Sequence, residues 1–213
     1  MSSSISGSAV RPDLRERRRR ETRLDINRAA LDLFEERGVA ATTVDEIAKS
    51  AGVSPSTFFR HFKTKEESIL ALDLDVETEI EEWLRESDPG DIDLAGIEAI
   101  YERAGLHLVD ASEDIKNRVL RTRRLINGDP HLRATAIALD ATSLCRLTEA
   151  VVQKLDGRES VTFARLLVES AGMTLRIAFD EWATRIDAGE EADLAEIYRT
   201  TRAELRRVTR DSH

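Results

Sequence analysis

The stretch VDEIAKSAGVSPSTFFRHFK, Val44 to Lys63, decides how the rest of the chain is read. Val44, Ile47 and Ala48 recur at spacings of three and one, which puts them on one helical face. Gly52 supplies a turn, where a positive φ is cheap only without a Cβ. Ser54 is placed to cap a second short helix, with Pro55 at its first position, where no backbone donor is needed. Phe58 and Phe62, four apart, turn back onto the first helix. Ser56, Thr57, Arg60 and His61 are left outside, and small Ala48 and Gly52 let the helices cross closely. The pattern predicts a helix-turn-helix, a motif whose second helix enters the DNA major groove.

The flanks extend this unit. Ile26, Ala29, Ala30, Leu33 and Phe34 make Leu24–Arg37 an amphipathic helix, which Gly38 ends. Thr43-x-x-Glu46 is a capping box for the next helix. Thr64-x-x-Glu67 is a second, opening a helix that runs to about Arg85 and acts as a lever on the recognition segment. Met1 to Pro12 is Ser/Gly-rich and expected to be disordered. Arginines at 11, 15, 17, 18, 19, 20 and 23 form a basic arm, suited to phosphates or the minor groove.

Whole-chain charge hides this arrangement. The net charge of -9 argues against nucleic acid, but residues 1–65 hold 13 Lys/Arg against 9 Asp/Glu, a net of +4, and the remainder nets -13. One cysteine, Cys145, excludes an intrachain disulfide and a Cys-based zinc site. No apolar run approaches the roughly 20 residues of a membrane helix, and the polar start is not a secretory signal. A cytoplasmic protein that needs no metal or cofactor is expected.

The run ALDLFEERGVAATTVDEIAKSAGVSPSTFFRHFKTKEESIL resembles the N-terminal domain of the TetR family of bacterial transcriptional regulators. Phe34, Gly38, Thr43, Ile47-Ala48, Ala51-Gly52-Val53-Ser54, Thr57, Phe59, His61-Phe62 and Lys65 carry it, over about residues 22–70. The resemblance implies that Thr43, Phe59, His61 and Lys65 touch the DNA backbone. Phe59 replaces a commoner tyrosine, so one phosphate hydrogen bond is lost there. With Ser54, Pro55, Ser56, Thr57 and Arg60, and the arm Arg17, Arg18, Arg19 and Arg20, these are the predicted DNA-binding residues.

Helical signals continue to the C-terminus, with all four prolines at predicted helix ends and no sustained period-two alternation. The expected fold is all-α with about nine helices. It comprises a disordered basic arm over 1–21, a helix-turn-helix bundle over 22–65 and a helical effector-binding and dimerisation domain over 66–213. Residues 160–187, apolar on several sides, and the last helix are expected to form an isologous dimer face through Phe163, Leu167, Gly172, Trp182, Tyr198 and Leu205. Trp83 and Tyr101 are candidates to line a ligand pocket, although aromatics at helical spacing are more often core. Arg118, Arg121, Arg123 and Arg124 admit two readings. Arg121 and Arg124 could hold an anionic headgroup, or, the preferred reading, the cluster is a solvated face paired with acids. Cys145 is expected to be a buried small residue.

Function follows from these parts as an expectation. It is a homodimeric repressor on a palindromic double-stranded operator, released by an apolar or amphipathic small effector. An enzyme is disfavoured, since HExxH, GxSxG and a Gly-rich phosphate loop are all absent. An architectural DNA binder is disfavoured by the -13 remainder.

Overall fold

The computed structural model describes residues 14–70 and 76–210. Among them are ten α-helices and one 3-10 turn, with no strand. The chain divides after Ala71 into two compact units.

The first unit holds α1 (Leu14–Arg37), α2 (Val44–Ser50), α3 (Pro55–His61) and α4 (Glu67–Leu70). Its core is Ile26, Ala30, Leu31 and Phe34 from α1, Ile47 and Ala48 from α2, Phe58 and Phe62 around α3, and Ile69 from α4. Asn27, also buried, donates to the Ser68 carbonyl at 2.9 Å and ties α1 to α4. The α1 helix begins ten residues earlier than the predicted Leu24, so Arg17 to Arg20 lie within a helix and not in a disordered arm. Arginine, leucine and glutamate are strong helix formers, and no glycine or proline stands between Pro12 and Gly38. Arg17 pairs with Glu21 one turn on at 2.9 Å. Met1–Pro12, predicted to be disordered, lie outside the described residues.

The second unit holds α5 (Val76–Glu86), a 3-10 turn (Pro89–Asp91), α6 (Leu94–Asp110), α7 (Glu113–Gly128), α8 (Pro130–Leu155), α9 (Val161–Asp187) and α10 (Leu194–Thr209). Of the helix predicted from Thr64 to about Arg85, α4 and α5 are described, and residues 71–75 between them lie outside the described residues. Most starts have the predicted caps. Asp129 accepts from the His131 and Leu132 amides, Ser160 from Phe163, and Asp193 from Ala195 and Glu196. Ser112 precedes α7 without a side-chain cap. The core gathers Ile80 and Leu84, Ile97 and Tyr101, Val119, Val151, Val168 and Phe179, and Tyr198 from six helices.

Two polar and apolar details fix this packing. Glu98 of α6 is fully buried, and its Oε2 accepts from Arg202 Nε of α10 at 3.0 Å and also from Arg206. Gly96 lies under the indole of Trp83, and a Cβ there would stand 2.2 Å from Trp83 Cζ2. Gly96→Ala must therefore displace the ring, with an expected loss of about 1–3 kcal/mol. Chemical denaturation measures the loss, and a shifted tryptophan emission in the native state reports the displaced indole. A stable variant with unchanged emission contradicts this packing.

Candidate nucleic-acid interface

Each helix of the predicted motif is set by local hydrogen bonds. Thr43 caps α2: its amide and hydroxyl donate to Glu46 Oε2 at 2.9 and 2.8 Å, and its Oγ1 accepts from the Glu46 amide at 3.3 Å. Arg37 holds the other carboxylate oxygen at 2.8 Å. The Thr43 hydroxyl bond, then its amide bond, keep the Glu46 carboxyl below the ordinary carboxylate range. The end of α2 is closed by Gly52 N–H to the Lys49 carbonyl (3.2 Å) and Val53 N–H to the Ala48 carbonyl (2.9 Å). That pair is a Schellman closure, and it requires the left-handed φ of +70° found at Gly52.

Ser54 then caps α3, accepting from the Thr57 amide at 3.1 Å. Its hydroxyl also bonds the Thr57 hydroxyl at 3.0 Å, and Arg60 Nη2 donates to Thr57 Oγ1 at 3.0 Å. Ser54, Thr57 and Arg60 thus form one hydrogen-bonded string along the outer face of α3. Phe58 on the opposite face is fully buried against Phe62, with ring centroids 5.8 Å apart. Phe59 is 56% exposed and meets the Phe58 ring edge to face. Of the predicted contact residues, Thr43, Ser54, Pro55, Ser56, Phe59 and Arg60 are exposed, while Thr57, His61 and Lys65 are half-buried.

Lys65 has an inward job that sequence reading missed. Its Nζ donates to the carbonyls of Val39 and Thr42 at 2.7 and 2.8 Å. Two of its three donors are therefore spent on the α1–α2 loop. Arg23, read only as part of the basic arm, reaches back to donate to the His61 carbonyl at 3.0 Å and lies 4.4 Å over the Phe62 ring. Its spacing from Phe62 in sequence gives no local signal for either contact.

The second-unit aromatics and arginines take the preferred of their two readings, core packing and pairing with acids. Tyr101 is buried edge-on against Tyr198, and Trp83 covers Gly96. Arg124 pairs with Asp187, its Nε at 2.8 Å, and Arg123 with Asp180 at 3.1 Å, so carboxylates of α9 already occupy the cluster that was a possible anion site. Cys145 is exposed on α8, not buried. Among the described residues no group of three or more His, Cys, Asp or Glu is arranged to hold a metal, and no helix is long and apolar enough to cross a membrane.

A capped helix-turn-helix with an outward polar string is the arrangement through which this motif meets the DNA major groove. Residues 26–72 match the family model for bacterial regulatory proteins of the tetR family. The chain is 51% identical over 59 residues to the HTH-type transcriptional regulator TcmR of Streptomyces glaucescens, covering 28% of this chain and 26% of that one. It is 38% identical over 96 residues to the HTH-type transcriptional repressor Rv3405c of Mycobacterium tuberculosis, covering 45% and 49%. The matched segments thus span from about a quarter to about half of these relatives' lengths. In fold, 88% of the chain superposes on 96% of NalD, the secondary repressor of the MexAB-OprM multidrug efflux pump in Pseudomonas aeruginosa, with a TM-score of 0.55 at 19% identity. Over residues 26–72 the chain is thus similar to the N-terminal domain of tetR-family regulators.

Two outcomes test the site's construction. Lys65→Met leaves two carbonyls without their ammonium, and the first unit is expected to lose about 1–3 kcal/mol. Hydrogen exchange of the α1–α2 loop amides reads this directly, and unchanged protection contradicts the role. Burial, then the charges of Arg23, Arg19 and Arg60, lower the pKa of His61 below the ordinary 6.5. The unfolded chain therefore binds this proton first. The His61 contribution is fully present above 6.5 and is lost as pH falls from there towards the lower folded value. His61→Gln should flatten that part of the stability profile, as thermal unfolding between about pH 5 and pH 8 would show.

Proposed function

We propose that the chain is a dimeric transcriptional repressor that reads a palindromic operator through α3 and leaves it when a small apolar or amphipathic molecule binds the second unit. The supporting observation is the Ser54–Thr57–Arg60 string, held on the open face of a helix that Phe58 and Phe62 fasten from behind. Thr57 offers a hydroxyl and a methyl to a base edge, and Arg60 a cation to the backbone. Exposed arginines in the first turns of α1 add sequence-independent attraction. One such unit binds weakly, so two half-sites about one helical turn apart call for a dimer. The proposed organisation is an arginine-rich N-terminal segment, the helix-turn-helix bundle and a cytoplasmic effector and dimerisation unit.

Release needs an effector that binds two conformers unequally. The second unit is large enough to have a core of its own, with Trp83 and Tyr101 in or against it. The names of the curated relatives are those of transcriptional regulators, which supports regulation over catalysis.

Thr57→Ala should cost about 1–3 kcal/mol on the operator while largely sparing non-specific DNA, measured by competitive titration. An equal loss on all DNA removes Thr57 from base reading. Changing Arg17, Arg18, Arg19 and Arg20 together to Ala should flatten the dependence of binding on salt. An unchanged slope would mean that these arginines face water only.

A further inference from the structure

Several side chains expected to reach outward are turned inward. In the second unit, Leu167, Trp182 and Tyr198 of the expected dimer face are buried, and a Cβ on Gly172 would stand 2.8 Å from Leu144 Cδ2 of the same chain. In the first unit the residue so turned is Arg23, expected in the basic arm. Arg17, Arg18, Arg19 and Arg20, within two turns before it on α1, are exposed, whereas Arg23 is half-buried. Its Nη1 donates to the His61 carbonyl at 3.0 Å, and its guanidinium carbon lies 4.4 Å from the centre of the Phe62 ring. His61 is the last residue of α3, and Phe62, buried, closes the helix. Arg23 thus grips α3 at its C-terminal end through two contacts of different kinds.

The chemistry of that end favours the grip. A helix leaves its last carbonyls without intrahelical donors, and their partial negative charge attracts a cation. The guanidinium supplies the donor and gains a cation–π attraction from the ring beside it. Both contacts need a planar, forked group, and the compact ammonium of a lysine does not reproduce the pair. Asn27, one turn further along the same face of α1, donates to the Ser68 carbonyl at 2.9 Å. One face of α1 therefore holds the chain where α3 ends and again within α4. The Ser54 cap at the other end of α3 is a local bond, three residues long, which shapes the helix start. The Arg23 contact comes from 38 residues away and sets where the last turn of α3 lies on α1.

We infer that Arg23 is a positioning residue for base reading, acting on DNA through α3 by holding the turn that carries Arg60, and not through a phosphate of its own. The inference rests on the DNA-reading role proposed for α3 and adds to it the residue that aims the helix. Arg60 directly precedes His61, and its Nη2 donates to Thr57 Oγ1 at 3.0 Å, so a shift of the last turn displaces the outer string with it. Hydrogen bonds to base edges weaken steeply when donor and acceptor move apart by about 1 Å. Attraction to phosphates is long-ranged and blind to sequence, and tolerates such a shift. Loss of Arg23 therefore falls on sequence-specific binding.

Two duplexes test this across a series of salt concentrations: one selected by the wild-type chain from a random pool, and one unselected. Arg23→Met and Arg23→Lys should each weaken binding to the selected duplex about tenfold, change the unselected duplex much less, and keep the wild-type dependence on salt. The lysine variant retains the charge and keeps the test open should the methionine variant fail to fold. A second readout reports the contact itself. After burial, the charge of Arg23 is the largest cause of the lowered His61 pKa, so proton NMR of the Arg23→Met chain should show His61 titrating closer to 6.5 than in the wild type. An unmoved His61 titration overturns the placement of Arg23 beside α3. Full recovery by lysine overturns the positioning role, as does a Met variant that weakens both duplexes equally and lowers the salt slope by about one, the mark of a phosphate contact. Unchanged affinity in both variants overturns it too, and each of these leaves base reading by α3 intact. A wild-type chain that selects no sequence from the pool overturns both.

Discussion

The seven-residue helix α3 has no stability of its own, since helices of this length are far too short to persist alone in water. What holds it is the burial of Phe58, with Phe62 beside it, in the core of the first unit. Fully burying such a ring contributes roughly 1.5–3 kcal/mol, more than a single cap or turn provides. That one contact sets the rotation of α3 about its axis. It therefore determines that Ser54, Thr57 and Arg60 face outward together. The Gly52 closure and the Lys65 ammonium act on either side of it, one fixing the angle of entry, the other fastening the loop before α2 to the chain that leaves α3. The surface offered to DNA is a consequence of what is buried behind it.

This explains why the first unit was legible in the sequence. Its signals are local: capping residues three positions apart, a glycine where φ must be positive, aromatics four apart. A run of arginines reads as a repelling arm, which hides the true start of α1 at Leu14. Yet arginine is a good helix former, and spacing to Glu21 offsets part of the repulsion. Lys65 reads as a phosphate contact in sequence because local pattern does not carry its burial. The carbonyls that bind it lie 23 and 26 residues away. Long-range pairing of this kind leaves no mark on local pattern.

The second unit was legible as helices but not as faces. Nearly every boundary follows from caps and prolines, whereas the division of apolar residues between core and surface does not. The α9 helix is apolar on more than one side, and sequence alone cannot say which side meets the rest of the protomer. Gly172 illustrates the difficulty. A glycine in an apolar helix signals close approach, but not to what, and here the neighbour is Leu144 of the same chain. Likewise the arginines of α7 found their partners in Asp180 and Asp187, acids more than 50 residues away.

The role of α10 follows from charge rather than from its apolar stripe. Glu98 is completely buried, and a carboxylate in that position is costly unless guanidinium groups reach it. Arg202 and Arg206, one turn apart on α10, both do so, and Arg202 also reaches Glu102. Sliding α10 along α6 by one turn would carry a guanidinium away from Glu98 and leave a buried charge with less compensation. The cluster therefore fixes the register of α10 on its own protomer. A helix fastened in that way, with Tyr198 inserted beneath it and charges along its outer surface, is built to close a core. The α9 helix, with its core side filled and an apolar stripe still facing water, is left as the element whose burial is incomplete within one chain.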